Sequence, residues 1–359
     1  MKKICLIIAF FGISFAKSQK TENIIIITTD GFRWQELFGG MDANLGNDKR
    51  YNQEDSAYIF KTYWADEVGE RRKKLMPFLW NTIASHGQIY GNRLLGNKVN
   101  VFNHYKFSYP GYSEIMCGYV DTAINTNAYK PNPNTTVLEF LNQQPKINGR
   151  IAAFGAWEAF DRILNEARSG IPVMVAYDQF GGKNPTPNEK LINAMLHNSR
   201  RNWHDESEDV FTHFEALEHL KTKKPKVLYI AYGETDELAH GKLYRSYLDA
   251  AKQVDTWIKE LWEFVQSDPQ YKNKTTLFFT TDHGRGNNEQ GKWNSHGAVV
   301  DDAEQIWFAV MGPNIPATGE MKNEVQLYQR QFAQTMAKIM GYTFKAEHPV
   351  AEEISSVLK

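Results

Sequence analysis

The run of residues 23–30, Asn-Ile-Ile-Ile-Ile-Thr-Thr-Asp, constrains the fold more than any other feature of the sequence. Its interior is β-branched and apolar on both faces, which is typical of a strand buried within a mostly parallel sheet. Further strands are predicted at 150–154, 173–176, 227–232, 275–281 and 306–311. Helical spacing is found between them, at 75–85, 136–143, 210–220, 244–265 and 325–340. This alternation predicts an α/β fold in which helices cover both faces of a mostly parallel central sheet.

The first 18 residues have the features of an export signal. Two lysines precede an uncharged apolar stretch, and small residues that suit a signal peptidase follow it. The stretch is shorter than the ~20 residues that span a bilayer, and no later segment is apolar and long enough to do so. We therefore expect a signal peptide at 1–18 and a secreted or periplasmic catalytic domain at 19–359. The polar stretches near 39–72 and 188–226 are expected to be insertions in that domain.

The charge balance narrows the choice of partners. Lys and Arg total 41 and Asp and Glu total 42, so the chain lacks the basic excess of a nucleic-acid-binding protein. A small-molecule substrate is expected instead. Cys117 is the only cysteine that would remain after signal cleavage, so an intramolecular disulfide is excluded. The mature chain must therefore be stabilised by its core or by bound metal ions.

Polar side chains of metal-binding type follow three of the predicted strands. Asp30 ends the first strand, Asp236 follows the fourth, and Asp282 and His283 follow the fifth directly. In open α/β sheets, ligands bind beyond the carboxyl ends of the strands. These residues should therefore lie close together in space, although they are far apart in the sequence.

Two more histidines complete the predicted set. His240 lies four positions after Asp236, so a helix would place both side chains on one face. His296 lies in a polar loop, in Trp-Asn-Ser-His-Gly. Each residue alone has an ordinary alternative, such as a helix cap at Asp236 or a turn at Asp30. Together, three carboxylates and three histidines are the ligands expected for two divalent ions, Zn²⁺ or alternatively Mn²⁺.

The chain resembles the alkaline phosphatase superfamily, and most closely its type I phosphodiesterase/nucleotide pyrophosphatase branch. The resemblance extends from about residue 24 to 311 and rests on these motifs in order: Ile-Thr-Thr-Asp30-Gly, Ser108-x-Pro110, Asp236-x3-His240, Asp282-His283-Gly and His296-Gly. It implies one ion held by Asp236, His240 and His296. A second ion would be held by the remaining set of Asp30, Asp282, His283 and Ser108.

The resemblance also implies that Ser108 is the nucleophile. The phosphodiesterase branch has Thr-Phe-Pro-Asn-His where this chain has Ser-Tyr-Pro-Gly-Tyr, so Gly111 replaces a phosphate-binding Asn. A serine just before a helix start also lies near the positive end of the helix dipole, where an anion binds. On charge or polarity alone, the candidate substrate contacts are Asn103, Lys106 and Arg33.

The expected activity is hydrolysis of phosphate esters through a phospho-serine intermediate, with monoesters and diesters both open. A sulfatase is one alternative, but Tyr112 stands where the sulfatase Ser-x-Pro-x-Arg element has arginine. A phosphoglycerate mutase-like phosphotransferase is another, although such enzymes are usually cytoplasmic. A non-catalytic binding protein on the same fold would be expected to have lost metal ligands. Ser113 is the rival nucleophile.

Overall fold

The computed structural model describes residues 20–358, so the predicted signal peptide lies outside the described residues. Its strands, in chain order, are β1 (Asn23–Thr29), β2 (Gly87–Tyr90), β3 (Asn97–Asn100), β4 (Ile151–Gly155), β5 (Val173–Val175), β6 (Val227–Tyr232), β7 (Thr275–Thr281), β8 (Gln305–Ile306), β9 (Phe308–Met311), β10 (Gly319–Glu320) and β11 (Val325–Tyr328).

The helices pack around these strands. They are α1 (Trp34–Gly39), α2 (Ala43–Asn47), α3 (Ser56–Tyr63), α4 (Val68–Leu75), α5 (Ala84–His86), α6 (Ser108–Cys117), α7 (Val137–Asn142), α8 (Phe160–Ile163), α9 (Glu166–Ser169), α10 (Pro187–Asn198), α11 (Asp209–Lys223), α12 (Glu234–His240), α13 (Tyr244–Ser267) and α14 (Phe332–Ile339). Short 3₁₀ turns lie at Arg93–Leu95, Gln329–Gln331 and Ser355–Leu358, and a π-helical turn lies at Leu79–Ile83.

Eight strands form the central sheet, in the order β10-β2-β9-β7-β1-β6-β4-β5. The strands from β7 to β5 are parallel, and β9 pairs with both β7 and β2 in the antiparallel sense. A smaller sheet, β11-β3-β8, lies beside it. The predicted α/β fold with a mostly parallel central sheet is confirmed.

Strand β1 is buried over its whole length because it lies between β6 and β7. Ile25 and Ile27 pack into the apolar core on one face, and Ile24 and Ile26 pack into the core on the other. Helix α13 belongs to the first core, whereas α6 and α14 belong to the second. The continuous apolar pattern of residues 24–27 thus reflects helices on both faces of the sheet.

The prediction of a helix at 325–340 was wrong for residues 325–328. Val325–Tyr328 forms β11 and pairs with β3, and the α-helix begins only at Phe332. Val325 and Leu327 alternate with more polar residues, so this stretch is compatible with a strand as well as with helical spacing. Its pairing with β3 favours the strand. The helix predicted at 75–85 is confirmed over residues 77–85, where a π-helical turn at Leu79–Ile83 leads directly into α5.

Both predicted insertions contain helices that pack on the domain. Residues 39–72 include α2, α3 and most of α4, and residues 188–226 include most of α10 and all of α11. Leu217 and Leu220 of α11 are buried in the core beside β6. That these segments are insertions stays a prediction. Over residues 20–358, no helix is long and apolar enough to cross a membrane.

Candidate metal centre

The candidate site lies at the carboxyl ends of three neighbouring strands. Asp30 directly follows β1, Asp236 lies in α12 just after β6, and Asp282 and His283 directly follow β7. Because β7, β1 and β6 are adjacent and parallel, their ends meet at one edge of the sheet. The topology thus brings together side chains separated by about 250 residues.

Asp30, Asp282 and His283 form a group that we call the inner cluster. One ligand atom from each lies within 4.8 Å of the others, and all three residues are buried. The Nε2 atom of His283 is 3.2 Å from Asp30 Oδ1 and 3.5 Å from Asp282 Oδ2. The other ring nitrogen, Nδ1, lies 2.9 Å from the Gly284 carbonyl oxygen, so it donates there and leaves Nε2 as a ligand.

Ser108 lies beside the inner cluster as the first residue of α6. Its Oγ atom is 3.4 Å from Asp30 Oδ1 and 3.4 Å from His283 Nε2. The rival Ser113 is placed differently, since its Oγ accepts a 3.0 Å hydrogen bond from Asn132 Nδ2. Of the two serines, only Ser108 therefore has a hydroxyl within reach of the predicted ligands.

Asp236, His240 and His296 form a second group, the outer cluster, which also has one ligand atom from each within 4.8 Å. His240 and Asp236 are one turn apart on α12, with Nε2 and Oδ2 3.0 Å apart. His296 approaches from the loop after β7, and its Nε2 is 2.9 Å from that of His240. The Nδ1 atom of His296 lies 3.2 Å from the Lys106 carbonyl oxygen, which orients the ring.

The two clusters fit divalent cations by their donor chemistry. Within the described residues, Asp282 Oδ2 is buried and has no hydrogen-bond partner. Burial, together with the nearby carboxylates, raises the pKa of Asp30 and of Asp282 well above the ordinary value. Burial lowers the pKa of His296, which favours the neutral, metal-binding imidazole. A cation in each cluster would supply the positive charge that these groups require.

Residues that the sequence analysis did not identify support both clusters. Tyr112 donates a 3.0 Å hydrogen bond to Asp30 Oδ2, and Thr235 Oγ1 donates to the Asp30 carbonyl oxygen. The guanidinium of Arg285 bonds the Asp236 carboxylate and the carbonyl oxygens of Gly31 and Asn294. Burial would raise the pKa of Asp236, but the Arg285 charge and the histidines hold it well below its ordinary value.

Of these residues, Arg285 had a signal in the sequence. It directly follows Asp282-His283-Gly284, so a cation next to a predicted ligand pair was visible. Tyr112 was noticed only as a departure from the sulfatase element. Its contact with Asp30 depends on the path of α6, which no local pattern specifies.

The three candidate substrate contacts are engaged elsewhere. Arg33 is buried and paired with Glu36, and it also donates to the Gly286 carbonyl oxygen. The other two have similar internal bonds: Asn103 Nδ2 donates to Glu114, and Lys106 Nζ lies 3.1 Å from Glu304. None of the three belongs to either cluster, and their role as substrate contacts stays a prediction.

Gly111 is explained by a close backbone approach. A Cβ atom at this position would lie 2.6 Å from the Asp282 carbonyl oxygen, which is too close for any side chain without a shift. The asparagine that the phosphodiesterase branch has at this place would therefore not fit here. Glycine allows α6, which begins at Ser108, to pack directly against the Asp282 backbone.

The family model for type I phosphodiesterase / nucleotide pyrophosphatase matches residues 41–353. The chain belongs to this family. No curated protein sequence matches it significantly. Its membership agrees with the resemblance drawn from the motifs, and it places the chain among the phosphodiesterases and pyrophosphatases of the alkaline phosphatase superfamily.

Solved structures of this superfamily share the fold. Alkaline phosphatase PafA is 9% identical, with a TM-score of 0.62 over 95% of this chain and 99% of that chain. A 2-O GAG sulfatase is 14% identical, with a TM-score of 0.57 over 94% and 74%. The phosphonate monoester hydrolase of Silicibacter pomeroyi is 13% identical, with a TM-score of 0.56 over 94% and 76%. At these identities the similarity extends to the fold alone.

Proposed function

We propose that the chain is an exported two-metal phosphodiesterase that uses Ser108 as its nucleophile. The observation that supports this most directly is the position of Ser108 Oγ, 3.4 Å from both Asp30 and His283 of the inner cluster. The outer cluster lies beside it, with His283 Nε2 3.7 Å from Asp236 Oδ1. A hydroxyl next to two adjacent cation sites is the arrangement that in-line displacement at phosphorus requires.

The residues would share the work as follows. Asp30, Asp282 and His283 would hold one ion, and Asp236, His240 and His296 the other, both proposed to be Zn²⁺. Bound ions would lower the pKa of the Ser108 hydroxyl and neutralise charge that develops on the phosphoryl oxygens. Ser108 is the first residue of α6, so its hydroxyl lies near the positive end of that helix, where the helix dipole favours a bound anion.

The reaction is proposed to proceed in two displacements. Ser108 Oγ forms a bond to phosphorus as the bond to the leaving alcohol breaks, and the serine proton is released to solvent while the alcohol takes up another. Water then attacks the phospho-serine, restores the hydroxyl and releases the phosphorylated product. His296 would remain a neutral ligand throughout this cycle, as its burial favours.

A diester is the proposed substrate because, within residues 20–358, the cationic side chains considered near the clusters are already paired and cannot balance a second negative charge. A monoester dianion usually needs an additional positive side chain near the ions. The described candidates are bonded internally, Arg33 to Glu36 and Lys106 to Glu304. Arg285 is bonded to the Asp236 carboxylate. A diester, with one negative charge, requires no further cation.

The test combines metal analysis with an ester panel. Chromogenic phosphate diesters, monoesters and a sulfate ester would be offered to the purified mature chain, with Ser108→Ala and Ser113→Ala as variants. We expect about two zinc ions per chain and turnover of the diester that is lost only in Ser108→Ala. Ser113 is a matched control because it is also a buried serine of α6. One ion with sulfate ester turnover, or no turnover of any ester, would refute the proposal.

A further inference from the structure

A cavity of about 530 Å³ lies at the end of α6 that is opposite Ser108. Gly118, which caps that end of the helix, is one of its lining residues, and no ligand of the inner or outer cluster is among them. Helix α6 has 10 residues, so its two ends are about 15 Å apart. We call this space the Arg330 cavity, and its polar and aromatic lining includes Tyr119, Gln326, Tyr328, Arg330, Gln331 and Glu352.

Aromatic rings hold the guanidinium of Arg330 in place. Its Cζ atom lies 3.6 Å from the centre of the Phe102 ring and 5.7 Å from that of Tyr328. The backbone is fixed as well, since the N–H groups of Arg330 and Phe102 both donate to the Glu114 carboxylate. A guanidinium that stacks on a ring face keeps the N–H groups at its edge free for an acceptor.

No protein group accepts from those N–H groups. Arg330 is half-buried, but within residues 20–358 its guanidinium makes no hydrogen bond and no ion pair. Every other described arginine that is buried or half-buried donates to an oxygen atom of the protein, namely Arg33, Arg71, Arg72, Arg93, Arg150, Arg162, Arg245 and Arg285. The Arg330 guanidinium is therefore a positioned cation whose partner the protein does not supply.

Other donors line the same cavity. The Gln331 Oε1 atom accepts the Tyr328 N–H at 2.9 Å, which leaves its NH₂ group without an acceptor among the described residues. The Tyr119 hydroxyl also bonds no group in this part of the chain. Glu352 is the acidic residue of the lining, and it is exposed and unpaired with Arg330. The cavity thus offers a cation and several neutral donors, a set that suits an anion.

We propose that the Arg330 cavity binds a small organic oxyanion, a carboxylate or a phosphomonoester carried on a flat, aromatic-type group. The guanidinium edge matches two oxygens of such an anion, and the Tyr119 and Tyr328 rings offer apolar surface to the rest of the ligand. The volume of the cavity is within the range of small-molecule sites. A metal ion would find only the Glu352 carboxylate, which is too few ligands.

The test measures binding of benzoate, phenylphosphonate and uncharged benzamide to the mature chain by calorimetry. Phenylphosphonate represents a phosphomonoester and cannot be hydrolysed. We expect at least one anion to bind with a Kd of about 1 mM or lower, and benzamide about tenfold more weakly. Arg330→Gln should weaken anion binding by about tenfold or more. Arg201→Gln is the matched control, because Arg201 stacks on Tyr177 at 4.1 Å but is exposed and outside the cavity.

Each result has a separate meaning. Unchanged anion binding in Arg330→Gln would place the anion elsewhere, such as at the metal centre, and overturn the inference. No anion binding, or equal binding of benzamide, would overturn it too. Where binding depends on Arg330, tighter phenylphosphonate identifies a phosphomonoester and tighter benzoate a carboxylate. Glu352→Gln should bind the anions more tightly, and weaker binding would contradict the proposal. Because no turnover is measured, failure here leaves the proposed phosphodiesterase function intact.

A measurement on the wild type covers the case in which Arg330→Gln fails to fold. Phenylglyoxal modifies accessible guanidinium groups, and mass spectrometry of the peptides locates each modified arginine. We expect modification of Arg330 that benzoate or phenylphosphonate suppresses and benzamide does not, while modification of the exposed Arg201 stays the same. Modification of Arg330 at the same rate with and without the anions contradicts the proposal. No modification of Arg330 would show that ligands cannot reach it, which also overturns the inference.

Discussion

The inner and outer clusters have similar ligands but are built in different ways. All inner ligands directly follow strands, and the His283 side chain is fully buried. The outer ligands lie on the short helix α12 and on a loop, and the His240 side chain is 45% exposed. The sheet therefore holds the inner cluster rigidly, whereas the outer cluster can exchange its ligands with solvent. We expect an inner ion to be the more tightly bound.

The clusters also differ in how their negative charge is balanced. Asp236 of the outer cluster is paired with Arg285, which holds its pKa low. Asp282 of the inner cluster has no cationic side chain bonded to it, and its Oδ2 has no partner within the described residues. The inner cluster should therefore depend on its ion for stability, while the outer cluster should tolerate the loss of its ion.

The largest expected effect belongs to Asp282→Asn. The asparagine Oδ1 can keep the 3.0 Å bond from the Gly31 N–H, but its NH₂ replaces the unpartnered Oδ2. We expect loss of the inner ion and a fall in kcat/KM of about 10³-fold or more. After chelation of all metal, the variant should be more stable than the wild type, because a buried, uncompensated charge is gone.

Elemental analysis, ester kinetics and urea unfolding with a chelator would measure these outcomes. Asp255→Asn is the matched control, since Asp255 is a buried carboxylate that accepts from the N–H groups of Phe78 and Leu79, outside both clusters. It should keep both ions and its turnover. An Asp282→Asn protein that retained two ions would show that the inner cluster is not a metal site.

The second prediction concerns Glu114, which supports the loop that precedes α6. This loop lies next to both clusters. Its carboxylate accepts from the backbone N–H groups of Phe102, Asn103 and Arg330. That loop leads to Ser108, beside the inner cluster, and the Lys106 carbonyl oxygen within it orients His296 of the outer cluster. A change in Glu114 should therefore affect both clusters together.

Burial raises the pKa of Glu114 from about 4.5 to about 7, although the N–H donors oppose the shift. The folded state therefore binds the proton more tightly than the unfolded state. Between pH about 4.5 and about 7 the wild type should lose about 3 kcal/mol of unfolding free energy as the pH rises. Glu114→Gln should lack this loss in urea titrations. Equal pH profiles for the two proteins would contradict the prediction.

The third prediction tests the exposed ligand of the outer cluster. In His240→Ala, water can replace the imidazole, so we expect about 100-fold weaker binding of one ion and not its complete loss. Turnover should fall at low zinc and recover with added zinc, which Asp282→Asn should not do. His86→Ala, an exposed histidine bonded only to its own helix, is the control. If added zinc does not rescue His240→Ala, the outer ion is as dependent on each ligand as the inner ion.

Much of the fold and the site follows from local patterns in the sequence. The apolar run at 24–27 indicated a doubly covered strand, and the ligand types after β1, β6 and β7 indicated where they would meet. The β11 strand was missed because its alternation is only four residues long and its pairing with β3 is non-local. Local pattern cannot reveal a partner strand more than 200 residues away.

The supporting residues were missed for a similar reason. Tyr112 lies in α6, and its contact with Asp30 depends on where that helix packs, which no local pattern indicates. The candidate contacts Arg33 and Lys106 were chosen on charge alone, and each has an acidic partner that the sequence did not indicate. The sequence shows that a side chain is charged, but only the fold determines which group it pairs with.

The smallest expected effect is that of Tyr112→Phe, which removes the 3.0 Å hydrogen bond to Asp30 Oδ2. This bond orients one inner carboxylate and leaves its Oδ1 facing His283 and Ser108. A single hydrogen bond to a charged group contributes about 1.5–3 kcal/mol, but Thr235 also anchors the Asp30 backbone. We therefore expect a loss of about tenfold in inner-ion affinity and a similar loss in kcat/KM.

Tyr109→Phe is the matched control, because Tyr109 is a buried tyrosine of the same helix whose hydroxyl donates to the Lys130 carbonyl oxygen. It should leave metal affinity unchanged. Competition with a zinc indicator separates positioning from chemistry, since a positioning residue changes affinity and rate together. A loss near 10³-fold in rate with affinity unchanged would place the Tyr112 hydroxyl in the reaction itself. No change in either quantity would show that the strand end alone fixes Asp30. The inner cluster would then be rigid even without the Tyr112 hydrogen bond.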